Sequence, residues 1–460
     1  MSDAGPGTGP SPGPGGGELR RLTGDAGLVA IGQVVSYAYP LVSIPLLSRV
    51  LGIEQLGVLV TVLAVIQMLI IWTDFGFGFS ALRRIALAET AAERQRVVAA
   101  TITAKLLLWA AGSVVLMIIV LAAPTLRSHA DLYLVGLLTA VGAVFYPMWF
   151  IQGIGQLKLL AMLTAGSRLI ALVGLILTVR TADQIDLAVF WQYAPYVLSA
   201  IACWVMLTRR RQAHLRFTGF GNVREALHNS FPLFVNLAGG QVIVNSSSIL
   251  LSQLASYRQA GLFGPADRMA NAVDGVLGSV QQAMMPRVAA AHTHPERPNH
   301  RRLILLGSVG AYVLSGLLLV VIAPWLVPWY LGSDFVDAIP VVQLMGVATM
   351  VSGLSTTVVL DLVAAGQARI CSIVTAFSAL WHLITASIGA YYFGAVGVAV
   401  AVCGTDLFTA AILSIVILLR RRSARRGPST ASNDHTGDAG DAASAGTDLS
   451  AGTDPKGTRP

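Results

Sequence analysis

The chain has 460 residues, of which 55% are hydrophobic and only 12% are charged, and its formal net charge is +8. Soluble globular proteins are about 25% charged, so this composition excludes a soluble protein with one apolar domain attached and indicates a polytopic membrane protein. The positive charge does not indicate nucleic-acid binding, because the bases lie in short loops between apolar blocks, where membrane topology accounts for them.

The two ends of the chain are poor in large apolar residues. Residues 1–25 are rich in Gly, Pro and Ser, and residues 420–460 in Gly, Ala, Ser, Asp and Thr, so both segments are predicted to be disordered. Between them lie twelve apolar blocks of roughly 18–25 residues, the length of a helix that crosses a bilayer. The predicted spans are 26–48, 56–79, 97–123, 131–150, 160–179, 187–208, 231–253, 260–288, 303–323, 338–360, 370–391 and 395–419.

The loops between these spans predict the orientation of the chain, because loops rich in Arg and Lys stay in the cytoplasm. Most bases fall in every second loop, counted from the N-terminus. The alternate loops contain only Arg49, Arg127, Arg180 and Arg258. The chain is therefore predicted to be a multi-pass protein of the cytoplasmic membrane with both termini in the cytoplasm.

The sequence also contains an internal repeat. The segment LLSRVLGIEQLGVL, which begins at Leu46, matches LLSQLASYRQAGLF, which begins 204 positions later at Leu250. Parallel repeats of this kind occur in transporters whose binding site lies where the two halves face each other. The prediction is an N-lobe (26–208) and a C-lobe (231–419) of six helices each around a central cavity, joined by a basic cytoplasmic linker (209–230).

The eighth predicted span carries polar residues along one face of a helix. The residues at this spacing are Asp267, Asn271, Asp274, Gly278 and Gln281. A charged group at the bilayer centre costs a few kcal/mol, so the face is predicted to contact another helix or a water-filled cavity. The seventh span repeats the pattern with Gln241, Asn245, Ser248 and Ser252. Such a stripe either joins helices by hydrogen bonds or contacts a substrate, and both interpretations stay open.

Two arginines lie at bilayer depth. Arg168 is near the middle of the fifth predicted span, and Arg268 follows Asp267 in the eighth. Sequence neighbours on a helix diverge by about 100°, so Arg268 is expected to meet another helix or an anionic substrate. Guanidinium groups bind phosphate in a bidentate fashion, so the two arginines either line a cavity for a diphosphate or acidic sugar or form internal salt bridges. The substrate-binding candidates are Arg168, Arg268, Asp267, Asn271, Asp274, Gln241 and Asn245.

Other charged residues lie near the predicted cytoplasmic ends of the spans. Asp74 and Lys105 are close enough to that surface for their side chains to reach water. The candidates for a cytoplasmic gate are Asp74, Arg83, Arg84 and Arg287. The chain lacks nucleotide-binding, serine-hydrolase and zinc-protease motifs on a plausible scaffold. We therefore expect no enzymatic activity, cofactor or metal site, while coupling to H⁺ or Na⁺ stays open.

Four segments resemble those of bacterial polysaccharide-biosynthesis flippases, the Wzx-like branch of the MOP (MATE/flippase) exporter superfamily. They are IPLLSRVLGIEQLGVL (Ile44–Leu59), WTDFGFGFSALRRIA (Trp72–Ala86), WFIQGIGQLKLLA (Trp149–Ala161) and AGLFGPADRM (Ala260–Met269). The resemblance implies a two-lobed, twelve-helix, MATE-like carrier. It also implies transport of a polyprenyl-diphosphate-linked oligosaccharide from the inner to the outer leaflet by alternating access, for cell-surface polysaccharide biosynthesis.

The partners implied by this resemblance are the lipid-linked glycan, membrane lipids, and a glycan polymerase with other polysaccharide-assembly proteins, without nucleic acid. One alternative is a MATE-type drug or cation antiporter, a family that tends to place an acid in the first span of a lobe, whereas residues 28–47 contain none. The other is a membrane glycan polymerase or ligase. Such enzymes resemble chains with a long, basic outer loop, whereas the largest predicted outer loop, 323–337, is short and has no base.

Overall fold

A computed structural model of the protein describes residues 16–209, 214, 216–293 and 298–425. All regular secondary structure in this part of the chain is helical, and it includes short 3-10 helices at Ala182–Gln184 and Ser333–Ala338. The α-helices are α1 (Gly16–Asp74), α2 (Phe77–Leu87), α3 (Ala91–Ala122), α4 (Pro124–Arg127), α5 (Ala130–Phe145), α6 (Met148–Gly153), α7 (Leu157–Thr178), α8 (Ile185–Arg209), α9 (Phe220–Leu254), α10 (Tyr257–Thr293), α11 (Pro298–Tyr330), α12 (Ile339–Ala364) and α13 (Ala368–Arg425).

Two helices are too long to be single membrane spans. A straight helix with the 59 residues of α1 would be about 90 Å long, roughly three times the thickness of the hydrocarbon core. Positive φ angles break α1 at Gly52 (74°) and α13 at Gly394 (61°), and glycine adopts such angles without steric cost. At the second break, the side chain of Gln259 accepts a hydrogen bond from the freed N–H of Ala395 at 2.9 Å. Each break lies between two predicted spans.

By length and hydropathy, eight helical stretches of the described chain can cross a membrane, or nine if the bent pair Phe220–Phe234 and Leu237–Leu254 forms one span. Tyr39–Leu87 and Ala368–Leu419 are counted once each, although each contains two predicted spans. α10 is not counted, because its polar residues lower its hydropathy. The described helices confirm an all-α polytopic membrane protein, and the number twelve stays a prediction.

Some predicted segment boundaries differ from the observed helices. α1 begins at Gly16, so residues 16–25 are helical rather than disordered. α9 begins at Phe220, which shortens the predicted linker, and α13 continues to Arg425. Hydropathy detects only the part of a helix in the hydrocarbon core, and a helix can continue into water where its side chains are polar. The rest of these predicted segments, namely 1–15, 210–213, 215 and 426–460, lies outside the described residues.

The predicted outer loop at 323–337 is mostly helical. α11 continues through two prolines to Tyr330, and the second 3-10 helix follows almost directly. The tyrosine hydroxyl donates a hydrogen bond to the backbone carbonyl of Leu41 in α1. This region therefore packs against the first helix instead of forming an extended loop.

α1 and α10 meet at two glycines that correspond in the predicted repeat. A Cβ atom on Gly57 would lie 1.8 Å from the carbonyl oxygen of Tyr257, and one on Gly261 would lie 2.0 Å from the carbonyl oxygen of Ile53. The repeat relates Gly57 to Gly261 and Ile53 to Tyr257. The contact is therefore reciprocal, as in an interface between two units related by a two-fold axis.

The contacts among helices group the described residues up to Ile415 into one compact unit and those from Val416 into a second. Within the first unit, α1 packs against α7, α9 and α10, α5 packs against α8, and α11 packs against α12. In the second unit, the described residues are the last part of α13. This grouping does not separate the two predicted lobes, so the two-lobe organisation stays a prediction.

Candidate functional site

A cavity of about 310 Å³ lies among α1, α7, α8, α9 and α10, within the first unit. We call it the polar chamber, because most of the helices that enclose it contribute hydrogen-bonding or charged side chains. Its polar lining includes Tyr39, Gln192, Asn245, Asp267, Arg268 and Asn271. Its volume is near the lower end of the range for ligand sites.

A second cavity of about 670 Å³ adjoins the polar chamber. We call it the apolar vestibule, because much of its lining consists of large hydrophobic side chains, among them Ile70, Ile71, Trp149, Leu160, Phe234 and Leu237. It extends to Asp74 at the end of α1, on the side predicted to be cytoplasmic. The two compartments share lining residues and are therefore adjacent. The shared residues are Gln67, Tyr146, Thr164, Arg168 and Tyr196.

Arg268 lines the polar chamber and is half-buried. The carboxylate of Asp267 and the phenol groups of Tyr39, Tyr193 and Tyr330 are close enough to interact with its charge. Tyr39 and Tyr193 donate their hydroxyl protons to backbone carbonyls at 2.8 and 2.6 Å, so their oxygens remain as acceptors. In the described part of the chain, no carboxylate forms an ion pair with Arg268. The guanidinium therefore has one acidic and three phenolic electrostatic neighbours, without a direct ion pair among the described residues.

Hydrogen bonds within α9 and α10 hold the amide and carboxylate side chains of the polar chamber in place. Asn271 donates to one carboxylate oxygen of Asp267 at 2.9 Å, one helical turn away on α10. Asn245 donates to the backbone and side-chain carbonyls of Gln241 at 3.0 and 3.3 Å, one turn away on α9. The predicted stripe of α9 thus lies along the cavity, with Gln241 in the vestibule and Asn245 in the chamber.

Arg168 of α7 lies at the junction of the two compartments, because it lines both of them. It interacts electrostatically with Tyr39 on the chamber side and with Tyr196, which also lines both cavities. The guanidinium of Arg168 therefore lies between the polar lining of the chamber and the apolar lining of the vestibule. This position suits the charged group of an amphipathic ligand.

The polar stripe of α10 does not face a single cavity, and substrate binding by Asp274 stays a prediction. Asp267 and Asn271 line the polar chamber, but Asp274 lines neither compartment and interacts with Asp406 of α13. Gln281 is buried and donates to a serine hydroxyl of α11 at 2.7 Å. The stripe extends over about 21 Å of helix, so its successive members meet different neighbouring helices.

Asp74 and Lys105 form an ion pair instead of reaching separately toward water. The Lys105 ammonium lies 3.2 Å from a carboxylate oxygen of Asp74 and donates to the backbone carbonyl of Ala143 at 3.0 Å. The lysine side chain is 5% exposed, whereas the aspartate is 40% exposed and lines the vestibule. Burial of an ammonium is costly unless a charged partner and hydrogen bonds compensate it, and both are present.

The other gate candidates lie outside the two compartments. Arg84 of α2 forms an ion pair with Glu225 of α9 at 3.1 Å. Arg83 and Arg287 are exposed and line neither the chamber nor the vestibule. Of the four candidates, only Asp74 contacts the cavity, and a gating role for any of them stays a prediction.

α2 and the first part of α9 are joined by further contacts, which we call the α2–α9 contact. The hydroxyl oxygens of Ser80 and Ser230 are 2.6 Å apart. Phe75, which has a positive φ of 43°, stacks on Phe234 with ring centroids 4.5 Å apart. Non-glycine residues adopt such a φ at some cost, and the stacking holds Phe75 in place. Because Phe234 lines the vestibule, this contact closes one of its walls.

Several lining residues could not be assigned from the sequence. Tyr39, Gln192, Tyr193 and Tyr196 come from α1 and α8, whose sequences carry no charged stripe. The repeat offset of 204 positions relates Gln67 to Asn271, and both line the polar chamber. Polar residues in otherwise apolar spans were the available signal, but periodicity does not show which of them share a cavity.

The two compartments offer cations, amides, phenols and an apolar surface to a ligand. Within the described residues, no group of three or more His, Cys, Asp and Glu side chains is placed to hold a metal ion. This arrangement suits the binding of a molecule that has a charged, a polar and an apolar part.

The sequence is similar to proteins of polysaccharide export. A protein from Shigella dysenteriae named "Putative O-antigen transporter" is 25% identical over 382 residues, which cover 81% of this chain and 94% of that protein. A protein of the same name from Escherichia coli (strain K12) is 26% identical over 263 residues, which cover 57% of this chain and 63% of that protein.

The fold is similar to solved structures of transporters. A lipid II flippase, MurJ, in an inward closed conformation aligns with a TM-score of 0.70 and 13% identity, over 85% of this chain and 87% of that one. An inward-facing multidrug resistance MATE family transporter of the MOP superfamily aligns with a TM-score of 0.60 and 16% identity, over 87% and 95%. These alignments confirm the predicted MOP-type fold.

The family model described as "Polysaccharide biosynthesis protein" matches residues 22–292. The match includes the four sequence segments that predicted the family and every residue named above as lining the polar chamber. More than half of the chain is covered, and this chain is therefore a member of the polysaccharide biosynthesis protein family.

Proposed function

We propose that this protein is a flippase that moves a polyprenyl-diphosphate-linked oligosaccharide from the inner to the outer leaflet of the cytoplasmic membrane by alternating access. Membership of the polysaccharide biosynthesis family and the names of the two relatives support this function. In this proposal both termini face the cytoplasm, as the distribution of bases predicts. A glycan polymerase and other assembly proteins would receive the translocated glycan.

The position of Arg168 is the observation that carries the proposal. The residue lies where the polar chamber meets the apolar vestibule. A lipid-linked glycan has the same order of parts, with a diphosphate between an apolar chain and a polar sugar. Guanidinium groups bind phosphate oxygens in pairs, so Arg168 is the group that we assign to the diphosphate.

The antiporter alternative has less support from the cavity. The first predicted span, in the N-terminal part of α1, contributes Tyr39 and Pro40 to the polar chamber, and no acid occurs between residues 28 and 47. The enzyme alternative requires a long outer loop over an active site. In the described chain, the region predicted to be that loop is mostly helix, and α9 and α10 are joined at the same side by only two residues.

The first test replaces Arg168 by Ala in cells that depend on this protein. The lipid-linked glycan should accumulate in the inner leaflet, at a protein level near that of the wild type, because the diphosphate has lost its bidentate partner. Leaflet-specific labelling of the glycan measures the effect. Arg180→Ala is the matched control, because Arg180 is exposed and lies outside both compartments. Disappearance of the Arg168→Ala protein would instead indicate that Arg168 holds the helices together.

A further inference from the structure

The segment that connects α8 to α9 carries basic and aromatic residues but no acid. Residues 209–224 contain five arginines and two phenylalanines, without Asp or Glu. In the described part of this segment, Arg216 and Arg224 are exposed, and Phe217 and Phe220 are 69% and 80% exposed. We call these four residues the basic–aromatic strip. Because two phenylalanine rings expose their apolar surface here, a partner that covers them would stabilise the strip.

Hydrogen bonds hold the strip near the start of α3. The side-chain amide of Gln95 donates to the backbone carbonyl of His214 at 2.6 Å and accepts from its backbone N–H at 2.9 Å. Asn222 of α9 donates to the hydroxyl of Thr218 at 2.7 Å. Gln95 precedes the predicted span 97–123 by two residues. The strip therefore lies at the level of the membrane surface, on the side predicted to be cytoplasmic.

The first part of α9 presents two different faces. Val223 and Ala226 are 4% and 3% exposed and belong to a hydrophobic cluster with residues of α2 and α3. Phe220 and Arg224 are one helical turn apart and share another face, which is open. The part Phe220–Phe234 is bent by 65° from the remainder of the helix. With that remainder crossing the membrane, the first part lies closer to the membrane plane than a crossing helix does.

The acid that follows the strip in the sequence does not neutralise it. Glu225 comes directly after Arg224, but the side chains of sequence neighbours on a helix diverge by about 100°. The Glu225 carboxylate is paired with Arg84 of α2 at 3.1 Å. Among the described residues, no acid forms an ion pair with Arg216 or Arg224. The strip therefore keeps a net positive charge.

We infer that the basic–aromatic strip binds anionic phospholipids of the cytoplasmic leaflet, with the arginines at the lipid phosphates and the phenylalanine rings between the headgroups. Bases near this leaflet are attracted to its anionic lipids, and aromatic rings next to bases are typical of helices that lie in a membrane interface. A membrane surface fits better than an acidic soluble protein, because the strip lies where α3 and α9 enter the bilayer. This binding goes beyond the proposed function and does not depend on which molecule is carried.

The test measures where residue 217 lies in a lipid bilayer. In the full-length protein the three native cysteines are replaced by alanine, and Phe217→Cys is labelled with a nitroxide. The protein is placed in nanodiscs of phosphatidylcholine with or without phosphatidylglycerol. Access of the nitroxide to molecular oxygen, which concentrates in lipid, is compared with its access to a water-soluble nickel chelate. Oxygen access should prevail when phosphatidylglycerol is present and should shift toward chelate access in phosphatidylcholine alone.

Variants of the arginines test the electrostatic part of the inference. Arg216→Gln/Arg224→Gln should remove most of the response to phosphatidylglycerol, because each base near the surface changes binding to anionic lipid by about fivefold. Arg216→Lys/Arg224→Lys keeps the charge and should keep the response. Arg127→Gln/Arg180→Gln is the matched control, because it removes two exposed arginines of the predicted outer side, and it should keep the response as well.

Four results would overturn the inference. Chelate access that prevails in both lipid compositions would place the strip in water and leave it for a soluble partner. Low access to both reagents would show that protein covers it. Equal oxygen access with and without phosphatidylglycerol, or a full response in Arg216→Gln/Arg224→Gln, would show that the arginines do not bind anionic lipid. The comparison of the two lipid compositions keeps both arginines, so it decides the question even if the Gln variant does not fold.

Discussion

Lys105 shows how single side chains are accommodated at membrane depth. Its ammonium group is almost fully buried and depends on one carboxylate and one backbone carbonyl. The carboxylate belongs to Asp74, which lines the apolar vestibule. The pair therefore joins α1 to α3 beside the cavity, and each partner compensates the charge of the other.

We predict that Asp74→Ala destabilises the protein more than the double variant Asp74→Ala/Lys105→Met. The single change leaves a buried lysine without its counterion, at a cost of roughly 2 kcal/mol, which is below the value for a fully buried pair because Asp74 is partly exposed. The double change removes both charges and should recover most of the loss. Denaturant unfolding in detergent measures both variants, and equal destabilisation of the two would contradict a stabilising pair.

At the scale of helices, the approach of α1 to α10 depends on two small residues. Gly57 and Gly261 allow backbone contact at positions that the repeat relates to each other. Small residues bring helix backbones together in membranes because packing, and not apolar burial, drives helix association there. The contact lies near the break of α1 at Gly52, at the side predicted to be extracytoplasmic.

Gly57→Ala should therefore disrupt the packing of α1 against α10. The new Cβ atom would lie 1.8 Å from a backbone oxygen, a position that requires the helices to separate. Gly310→Ala is the matched control, because it also lies inside a helix and no atom lies within 4 Å of its new Cβ atom. The control should gain up to about 1 kcal/mol from helix propensity, whereas Gly57→Ala should lower the melting temperature in detergent. Equal melting temperatures for the two variants would contradict this role of Gly57.

For the whole molecule, alternating access requires that some contacts at the predicted cytoplasmic side open during each cycle. We expect the α2–α9 contact to be one of them, because it forms a wall of the vestibule and joins a helix of the predicted N-lobe to the first helix of the predicted C-lobe. The contact consists of the ion pair between Arg84 and Glu225, the hydrogen bond between the hydroxyls of Ser80 and Ser230, and the stacking of Phe75 on Phe234. These interactions are modest and reversible individually.

A disulfide at this contact should arrest transport. The hydroxyl oxygens of Ser80 and Ser230 are 2.6 Å apart, so sulfur atoms at these positions can bond. We predict that oxidised Ser80→Cys/Ser230→Cys protein loses transport in vesicles and regains it with a reducing agent, whereas each single variant is unaffected. Full transport by the cross-linked protein would show that α2 and α9 do not separate during the cycle.

Much of the architecture could be predicted because it depends on local properties. The breaks at Gly52 and Gly394 lie where hydropathy placed the loops, and the glycines matched by the repeat are in contact. The site was predicted less completely. Arg168, Arg268, Asp267 and Asn271 line the chamber as expected, but Asp274 faces another helix and the tyrosines around Arg268 were not foreseen.

The amino-acid sequence alone was enough to predict a polytopic helical membrane protein, an internal repeat, and the charged residues expected at bilayer depth. These predictions follow from the length, period and polarity of short segments. The folded structure was needed to show that Lys105 pairs with Asp74, that Arg268 lies among tyrosines of three other helices, and that the two adjacent cavities differ in polarity. Helical periodicity shows which residues share a face of one helix, but the neighbour of that face is set by packing between segments that are distant in the chain.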